Sequence, residues 1–462
     1  MGNNNSALAE NLVGFTQEFD FDNLPDKLKY YTKYFILDHL GCVLGAKELA
    51  SSKIIVEMVK EISGKEQATI LGYGLKTLMP QAALANATMG HGLEMDDAHR
   101  NANLHPGVPV IPSALAVGEC YDKDGKTLIS SIALGLEAMI RIGEAFLGVS
   151  YNQGFHPTGT CGVFGAAVAA GKMIGLDKNM MLNAIGIAGS QASGLREARA
   201  QGTMGKRLQA GHASMCGVLS ALLAKKGFTG PATIFEGHDG FLRAYSYKDT
   251  YDGNRIINEI GNKWEMLDTS IKVHACCRWV GPIIDCTLDI IRNQPINVDD
   301  IEEIFATSST TAIKALTEPT DRKVRPKTVV DAQFSLPYGI AVAAIRKKAF
   351  VDEYSEQSIK DPEILALIPK VKWAVDPEDD KNYPDRYSAT VIIKTMDGKE
   401  YKSRIEYPKG DPENPVSQGE LEEKFKNLAA KVLSEKKIEA LISQIWDLEN
   451  LKSVRDLASY FY

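Results

Sequence analysis

Apolar side chains recur at helical spacing through much of the first half of the chain. Between residues 26 and 46 they recur every three or four positions, which places them on one face of a helix. Two later segments, 159–170 and 211–221, carry Gly and Ala at similar spacings. Small side chains let neighbouring helices approach closely, so these segments indicate the interior of a large helical core.

The pattern changes after about residue 268, where β-branched residues become frequent. Strands are predicted near 301–312 and 371–375, and alternation is clearest over 388–407. Asp397 and Gly398 separate the two alternating runs of that last segment. An Asp-Gly pair is typical of a two-residue hairpin with a type I′ turn, in which both central residues have positive φ.

The chain returns to helical periodicity at its end. Ser417 and Glu420 have the spacing of a capping box, and a second amphipathic helix is predicted over 438–448. We therefore predict a mainly α fold. A large all-helical domain would be built from both termini, residues 1–268 and 404–462, with a smaller α+β domain inserted at residues 269–403.

Composition and charge narrow the classes of protein. Of the 462 residues 44% are hydrophobic and 24% are charged, as in globular proteins, and the net charge of −7 argues against nucleic acid as a partner. Seven cysteines without a C-x-x-C pair indicate reduced thiols. We find neither a signal peptide nor an apolar stretch of membrane-spanning length, so a soluble, cytoplasmic protein without a membrane partner is expected. Gly2 and Ser6 match a lipidation pattern that often arises by chance.

One polar cluster lies between two apolar segments, 82–89 and 108–117. Buried imidazoles and carboxylates cost several kcal/mol unless they are paired, so a functional site is expected there. A divalent metal could use Asp96, Asp97, His99 and His105, but their spacing matches no established metal signature. General acid–base catalysis explains the composition better. The cluster comprises His91, Glu94, Asp96, Asp97, His99 and His105.

Three further segments place basic side chains among small residues. His156 lies in a constrained Phe-His-Pro sequence, and residues 202–212 and 272–278 form the other two. Basic groups in such surroundings indicate an anionic ligand. The segments contain no P-loop and no G-x-S-x-G elbow, which disfavours a nucleotide-binding protein and a serine hydrolase. The candidate residues of the second and third segments are Lys206, Arg207, His212, Lys272, His274 and Arg278.

Taken in order, these segments resemble the MmgE/PrpD family over nearly the whole chain. The family includes 2-methylcitrate dehydratase, cis-aconitate decarboxylase and iminodisuccinate epimerase. The matching stretches are G-H-G-L-E-M-D-D (90–97), H-P-G-V-P-V-I-P-S-A-L-A-V-G-E (105–119), F-H-P-T-G-T (155–160), G-T-M-G-K-R-L-Q-A-G-H-A (202–213), I-K-V-H-A-C-C-R (271–278), F-S-L-P-Y-G-I-A (334–341) and D-P-E-N-P-V-S (411–417).

The resemblance implies a fold, an assembly and a set of catalytic residues. It implies a large helical domain with a smaller α+β lid, a homodimer, and activity without a metal or an organic cofactor. Position by position, it assigns catalytic roles to Glu94, Asp96, Asp97, His105, His156, Lys206 and Lys272. From the residue types we add, as substrate-binding candidates, His99, Arg207, His274 and Arg278.

Several departures from the family pattern bear on the reaction. Glu94 stands where the family commonly has Asp, and Ala98 stands where the decarboxylase has Thr. The spacing to His105 is one residue longer, and the decarboxylase's late tyrosine has no clear match. These differences argue against cis-aconitate decarboxylase.

The expected function is a cofactor-independent lyase that removes a proton α to a carboxylate of a small di- or tricarboxylate. Dehydration of a 2-methylcitrate-like acid leads, epimerisation of a dicarboxylate is the alternative, and decarboxylation of cis-aconitate type follows it. A non-catalytic carboxylate-binding protein is a third hypothesis, which the complete set of His and Lys matches disfavours. Because His105 lies beside acidic residues, we expect its pKa to be raised, so that it is a cationic acid, while a neutral His156 is the base.

Overall fold

The computed structural model describes residues 8–62 and 64–461, so the Gly2/Ser6 pattern lies outside the described residues. The fold is mainly α, as predicted. The elements of the first part are α1 (Leu8–Glu18), α2 (Asp26–Gly45), α3 (Ala50–Glu61), β1 (Ala68–Ile70), β2 (Leu75–Thr77), α4 (Met79–Gly90), β3 (Ala98–His99), α5 (Gly107–Tyr121), α6 (Gly125–Glu144), α7 (Val149–Asn152), α8 (Pro157–Thr160), α9 (Gly162–Ile174), α10 (Lys178–Gly189), α11 (Glu197–Ala200), α12 (Gly205–Lys225) and α13 (Phe241–Ala244).

The second part contains the larger sheet and the C-terminal helices. Its elements are β4 (Thr269–Ser270), α14 (Gly281–Asn293), β5 (Ile301–Ser308), α15 (Thr310–Thr317), α16 (Thr320–Val324), α17 (Val329–Gln333), α18 (Leu336–Arg346), α19 (Pro362–Leu367), β6 (Val371–Val375), α20 (Pro377–Asn382), β7 (Ala389–Thr395), β8 (Glu400–Ile405), α21 (Gln418–Ala429), α22 (Glu435–Trp446) and α23 (Val454–Ala458).

Small residues bring the central helices together. Helices α9 and α12 pack against each other, and α4, α5 and α6 surround them. A Cβ atom on Gly217 of α12 would lie only 2.4 Å from the Cβ of Ala166 in α9, and one on Gly165 would lie 2.7 Å from the carbonyl oxygen of Gly135. The close approach expected from the Gly/Ala spacing is therefore confirmed.

Helix α2 packs against the C-terminal helix α21. The Tyr34 hydroxyl donates to the carbonyl of Val416 at 2.6 Å, and Lys424 pairs with Asp38 in a buried contact. The capping box at the start of α21 is present, with Ser417 and Glu420 each accepting from the other's backbone N–H. The two ends of the chain thus share one packed region.

The larger sheet has the order β6-β5-β7-β8, with β5 and β6 parallel and the other pairs antiparallel. The predicted hairpin forms, but its turn is not type I′. Within the described turn, residues 396–399, only Gly398 has a positive φ, and its N–H donates to the carbonyl of Thr395. Four residues separate the strands, so the loop is longer than a two-residue turn allows.

Helix α14 packs against β7 and β8, which buries one face of the sheet. Strand β8 ends at Ile405, just beyond the boundary predicted at residue 403. The division into two domains at residues 268/269 and 403/404 stays a prediction. Within residues 8–62 and 64–461, no helix combines the length and the apolarity that a bilayer crossing requires.

Candidate active site

A cavity of about 750 Å³, measured with its open mouth, lies where several distant segments meet. The segment between α4 and α5 supplies Glu94, His99 and His105, and the start of α8 supplies His156. Lys206 enters from the first turn of α12. Strand β3 pairs with β4, so the segment that follows β4 lies beside the loop of the first cluster. The fold therefore brings the separate sequence clusters to one pocket.

His105 and His156 each donate their Nδ1 hydrogen to a protein oxygen. His105 Nδ1 lies 2.6 Å from the carbonyl oxygen of Asp97, which can only accept. His156 Nδ1 lies 2.7 Å from Oε1 of Gln209, whose amide nitrogen donates to the carbonyl of Leu195 and so fixes the orientation of the amide. In each neutral ring, Nε2 therefore keeps its lone pair and can accept a proton.

His91 stands between these two rings. Its ring centroid is 4.9 Å from that of His105 and 5.7 Å from that of His156. His91 Nδ1 bonds Asp96 Oδ2 at 2.7 Å, and His105 Nδ1 is 3.3 Å from the same oxygen. Three imidazoles and one carboxylate thus form a continuous group.

Burial determines the charge of the imidazoles. It lowers the pKa of His105 well below its usual value, and the cations Lys272 and Lys206 add to that effect against Asp96. Burial and Lys206 likewise hold the pKa of His156 well below its usual value. The expectation that acidic neighbours make His105 cationic is therefore wrong, because desolvation outweighs the attraction of Asp96. The expectation of a neutral His156 is confirmed.

Glu94 connects the two lysines. Lys206 Nζ lies 2.6 and 2.8 Å from the two Glu94 oxygens, and Lys272 Nζ lies 3.6 Å from Glu94 and from Asp96. Burial alone would raise the pKa of Glu94, but the two lysines hold it well below its usual value. Glu94 also has φ +56°, a strained conformation for a residue with a side chain. The surrounding contacts hold this carboxylate at the junction of both cations.

Burial opposes ionisation of Asp96 as well, yet its contacts with His91 and Lys272 hold its pKa well below its usual value. The two lysines differ from each other. Burial lowers the pKa of Lys206, whereas Asp96 and Glu94 overcome burial and raise that of Lys272. Lys272 is thus a firmly charged buried cation, and Lys206 is the readier proton donor.

Arginines line the rest of the cavity, and they differ in their partners. Arg278 and Arg100 share Asp411, and Arg100 also pairs with Glu413 at 2.8 Å. Arg196, just before α11, and Arg199, within α11, also line the cavity. Among the described residues, the lining thus contains five arginines and lysines but a single carboxylate, that of Glu94, which favours an anionic ligand.

Five residues predicted for the site do not line the cavity. Two of them, Asp96 and Lys272, contact the cavity residues His105 and Glu94. The other three bond elsewhere. Asp97 accepts the Gly107 N–H with both oxygens at the start of α5, at 3.1 and 2.9 Å, and burial raises its pKa well above the usual range. Arg207 is buried and donates to Ser51 Oγ, and His274 pairs with Asp285 at 2.8 Å. We expect these side chains to support the fold and not to touch substrate.

His99 lines the cavity, but both of its nitrogens have protein partners. Nε2 lies 3.1 Å from the Glu265 carbonyl, and Nδ1 accepts from the Ala102 N–H. His212 bonds Ser193 at 3.2 Å and is not among the cavity residues. His99 therefore shapes the wall and offers a ligand no free nitrogen.

The ligand atoms of His91, Asp96 and His105 all lie within 4.8 Å of one another, a spacing that could hold a metal ion. The Nδ1 atoms of both rings already carry hydrogens directed at Asp96 and the Asp97 carbonyl. The Lys272 ammonium group, 3.6 Å from Asp96 Oδ1, would repel a cation there. These residues therefore fit a proton-transfer group better than a metal site. The four metal ligands considered from the sequence do not converge on one point, because Asp97 and His99 bond to other partners.

Several cavity residues were not identified from the sequence as part of the site. They are Arg100, Tyr151, Arg196, Arg199, Gln209 and Tyr387. A signal was present for two of them: Arg196 and Arg199 are three residues apart in a stretch of small and polar side chains. Their place in the pocket depends on tertiary packing, which local spacing does not reveal.

Comparison of the sequence with known proteins shows which family models match this chain. A sequence model of the MmgE/PrpD N-terminal domain matches residues 10–254, and one of the MmgE/PrpD C-terminal domain matches residues 274–448. A cis-aconitate decarboxylase of Aspergillus terreus (strain NIH 2624 / FGSC A1156) is 27% identical over 473 residues, covering 98% of this chain and 96% of the relative.

Two further relatives have names that state different activities. A cis-aconitate decarboxylase of Homo sapiens is 26% identical over 443 residues, covering 93% of this chain and 89% of the relative. A 2-methylcitrate dehydratase of Salmonella typhi is 23% identical over 431 residues, covering 89% of this chain and 88% of the relative. Enzymes that cleave a C–C bond and enzymes that cleave a C–O bond therefore both resemble the chain over most of its length.

Proposed function

This chain belongs to the MmgE/PrpD family, and on that premise we propose that it is a lyase acting on a small di- or tricarboxylate. The reaction moves a proton at the carbon next to a carboxylate, without a metal or an organic cofactor. The observation that carries the proposal is one cavity in which two neutral imidazoles expose Nε2 lone pairs beside buried lysines. Dehydration of a 2-methylcitrate-like hydroxy acid is the leading reaction.

His105 is the better candidate for the general base. When its Nε2 takes a proton, the new positive charge lies beside Asp96, whose carboxylate is 3.3 Å from Nδ1. His156 has a neutral amide partner instead. Lys206 opposes protonation of both rings, but only His105 has a carboxylate beside it to offset that effect. We therefore assign proton abstraction to His105 and hydrogen bonding of the substrate to His156. This exchanges the roles expected from the sequence.

The lysines match the charge that develops during the reaction. Removing a proton next to a carboxylate places negative charge on the carboxylate oxygens, in the manner of an enediolate. The fixed ammonium groups of Lys206 and Lys272 stabilise that charge inside a buried pocket, where electrostatic interactions are strongest. Glu94 holds the Lys206 ammonium group in place.

Dehydration also requires an acid for the departing hydroxyl group. Burial lowers the pKa of Lys206, which makes its ammonium group a better donor. His105 takes the α-proton, the C–H electron pair forms the C=C bond, and the C–O bond breaks. The hydroxyl leaves as water with a proton from Lys206, and solvent then restores both side chains.

Decarboxylation of a cis-aconitate-like substrate is the second candidate. Relatives named cis-aconitate decarboxylase, at 25–27% identity, favour it. In this case the C–C bond to the departing carboxylate breaks, and an acid of the same pocket protonates the carbon that keeps the electron pair. Ala98 at the position of the decarboxylase threonine argues for dehydration.

A substrate panel tests the proposal. The purified protein is incubated with hydroxy-, unsaturated and amino-di- and tricarboxylates, and products are identified by NMR and mass spectrometry. A new alkene with loss of water supports dehydration, release of CO₂ supports decarboxylation, and stereochemical inversion alone indicates epimerisation. If no carboxylate reacts while several bind, the chain is a binding protein and the catalytic proposal fails.

A further inference from the structure

The α11 side of the cavity has positive charge that the protein does not neutralise. Among the described residues, no acidic side chain lies within 4.0 Å of the guanidinium group of Arg196 or of Arg199, although both line the cavity. The other two cavity arginines, Arg100 and Arg278, share Asp411. The first pair is therefore available to a ligand.

Tyr151 holds both of these guanidinium groups. Arg196 lies over the Tyr151 ring, 3.6 Å from its centroid, and donates to the Tyr151 carbonyl at 2.6 Å. Arg199 donates to the Tyr151 hydroxyl at 3.1 Å. The Arg196 Nε hydrogen is buried and has no hydrogen-bond partner among the described residues. The two groups are thus oriented before a ligand arrives, which reduces the entropy lost on binding.

Lys323 adds a third cation beside Arg199. It is 6% exposed and lies in α16, and no carboxylate of the described chain is within 4.0 Å of its ammonium group. The Phe334 ring packs against Arg199, Lys206 and Lys323, with 5.7, 5.5 and 5.9 Å between the charged groups and its centroid. Burial, followed by Arg199, lowers the pKa of Lys323 to about 8. Glu94 neutralises Lys206, but Arg199 and Lys323 share the ring without a carboxylate of their own, an arrangement that a bound anion would stabilise.

Anchoring of the α11 segment does not explain these charges, since Arg322 performs that role. It donates to the carbonyls of Ala200 and Gln201 at 3.2 and 2.9 Å and pairs with Asp331 at 2.9 Å. Arg322 is half-buried and is paired with a carboxylate, whereas Arg196 and Arg199 have no such partner among the described residues. The loop is therefore held in place by a different arginine.

We propose that Arg196 and Arg199, supported by Lys323, form a subsite for a substrate carboxylate remote from the reacting carbon. This rests on the proposed function and adds a substrate preference. The subsite selects tricarboxylates over dicarboxylates that lack the third group. Planar guanidinium groups suit a carboxylate because they can offer two parallel N–H donors.

Binding of two unreactive ligands tests the subsite by calorimetry. Propane-1,2,3-tricarboxylate and methylbutanedioate share two carboxylates on adjacent carbons and differ at one end, where the dicarboxylate has a methyl group in place of the terminal carboxymethyl group. The wild-type protein should bind the tricarboxylate roughly 10- to 100-fold more tightly, the range expected for a charged hydrogen-bonded pair. Arg196→Gln and Arg199→Gln should each remove most of that preference and leave the affinity for methylbutanedioate unchanged.

Two variants serve as controls. Arg199→Lys keeps the charge without the planar fork and should retain part of the preference, and Arg243→Gln, which removes an exposed arginine, should retain all of it. Thermal melting verifies that each variant is folded. Equal loss of affinity for both ligands, or no change for either, would overturn the subsite. Neither ligand needs to react. Failure of every turnover assay would therefore contradict the proposed lyase activity, while the binding comparison would still test the subsite.

Discussion

At the scale of single residues, desolvation rather than nearby acidic sequence sets the protonation of the proposed base. The pKa of His105 falls well below 6.5 in the folded protein although Asp96 is adjacent. The same arrangement allows the ring to accept a proton during turnover, when the carboxylate stabilises the cation. A buried imidazole of this kind is neutral at rest and basic at the reacting carbon.

The pH dependence of activity follows from this direction. A base must be neutral, and a lowered pKa keeps His105 and His156 neutral below pH 6.5. We expect kcat/KM to stay level as the pH falls through 6.5 and to decline only at lower pH. Steady-state rates across the acid range, with protein stability monitored in parallel, measure the acid limb of the pH profile of kcat/KM. An acid limb centred above 6.5 would contradict neutral imidazoles in the free enzyme.

Lys206 gives a second test at this scale. Lys206→Met removes a cation and a proton donor from the cavity, so kcat/KM should fall by at least ~10²-fold. Lys226→Met, at the exposed C-terminal end of α12, is the matched control and should leave the rate unchanged. Circular dichroism should show that both variants remain folded. Near-normal turnover of a folded Lys206→Met protein would assign that lysine a structural role.

At the scale of secondary-structure elements, close packing of α9 and α12 places Lys206 relative to the first cluster. Gly217→Ala would force a Cβ to within 2.4 Å of Ala166, so we expect destabilisation of about 1–3 kcal/mol. Gly419→Ala, in α21, meets nothing within 4 Å and should be neutral or stabilising by up to about 1 kcal/mol. Denaturant unfolding compares the two. Equal effects would show that the Gly217 contact is not tight.

Individual elements were predictable where local patterns determine them. Apolar spacing predicts a helix over residues 26–46, and α2 spans Asp26–Gly45. The capping box at Ser417 is present as the sequence indicates. The turn after β7 was mispredicted, because the Asp-Gly pair indicates a hairpin but does not fix the length of its loop. Loop length follows from the register of β7 with β8, in which Lys394 lies opposite Glu400.

At the scale of the whole molecule, the active site depends on contacts between segments far apart in the chain. The pairing of β3 with β4 and the packing of α4 with α12 bring residues 91–105, 206 and 272 together. Residue types were enough to nominate His105, His156 and Lys206. They could not show that Asp97 is used at the start of α5, or that Arg196 faces the cavity, because both depend on tertiary neighbours.

Removal of metal tests the cofactor-independent reaction on the intact protein. Since Lys272 lies beside Asp96 and the Nδ1 hydrogens are committed, activity should survive dialysis against a strong chelator. Rates before and after dialysis, with metal content measured by mass spectrometry, provide the comparison. If activity is lost and a divalent ion restores it, His91, Asp96 and His105 form a metal site and the acid–base account fails.

The homodimer and the cytoplasmic location expected from the sequence stay predictions. Sedimentation velocity over a range of protein concentrations determines the assembly directly. A stable monomer with full activity would remove the dimer from the account and leave the geometry of the cavity unchanged.

The central claim is that His105 removes a proton from the carbon next to a substrate carboxylate. The most direct measurement is NMR of deuterium incorporation at that carbon in heavy water, comparing wild type, His105→Gln and His156→Gln under saturating carboxylate. Wild type should incorporate deuterium, His105→Gln should lose exchange although ligand still binds, and His156→Gln should retain measurable exchange with weaker binding. Undiminished exchange in folded His105→Gln would contradict the claim, and its loss in His156→Gln alone would assign the base to His156.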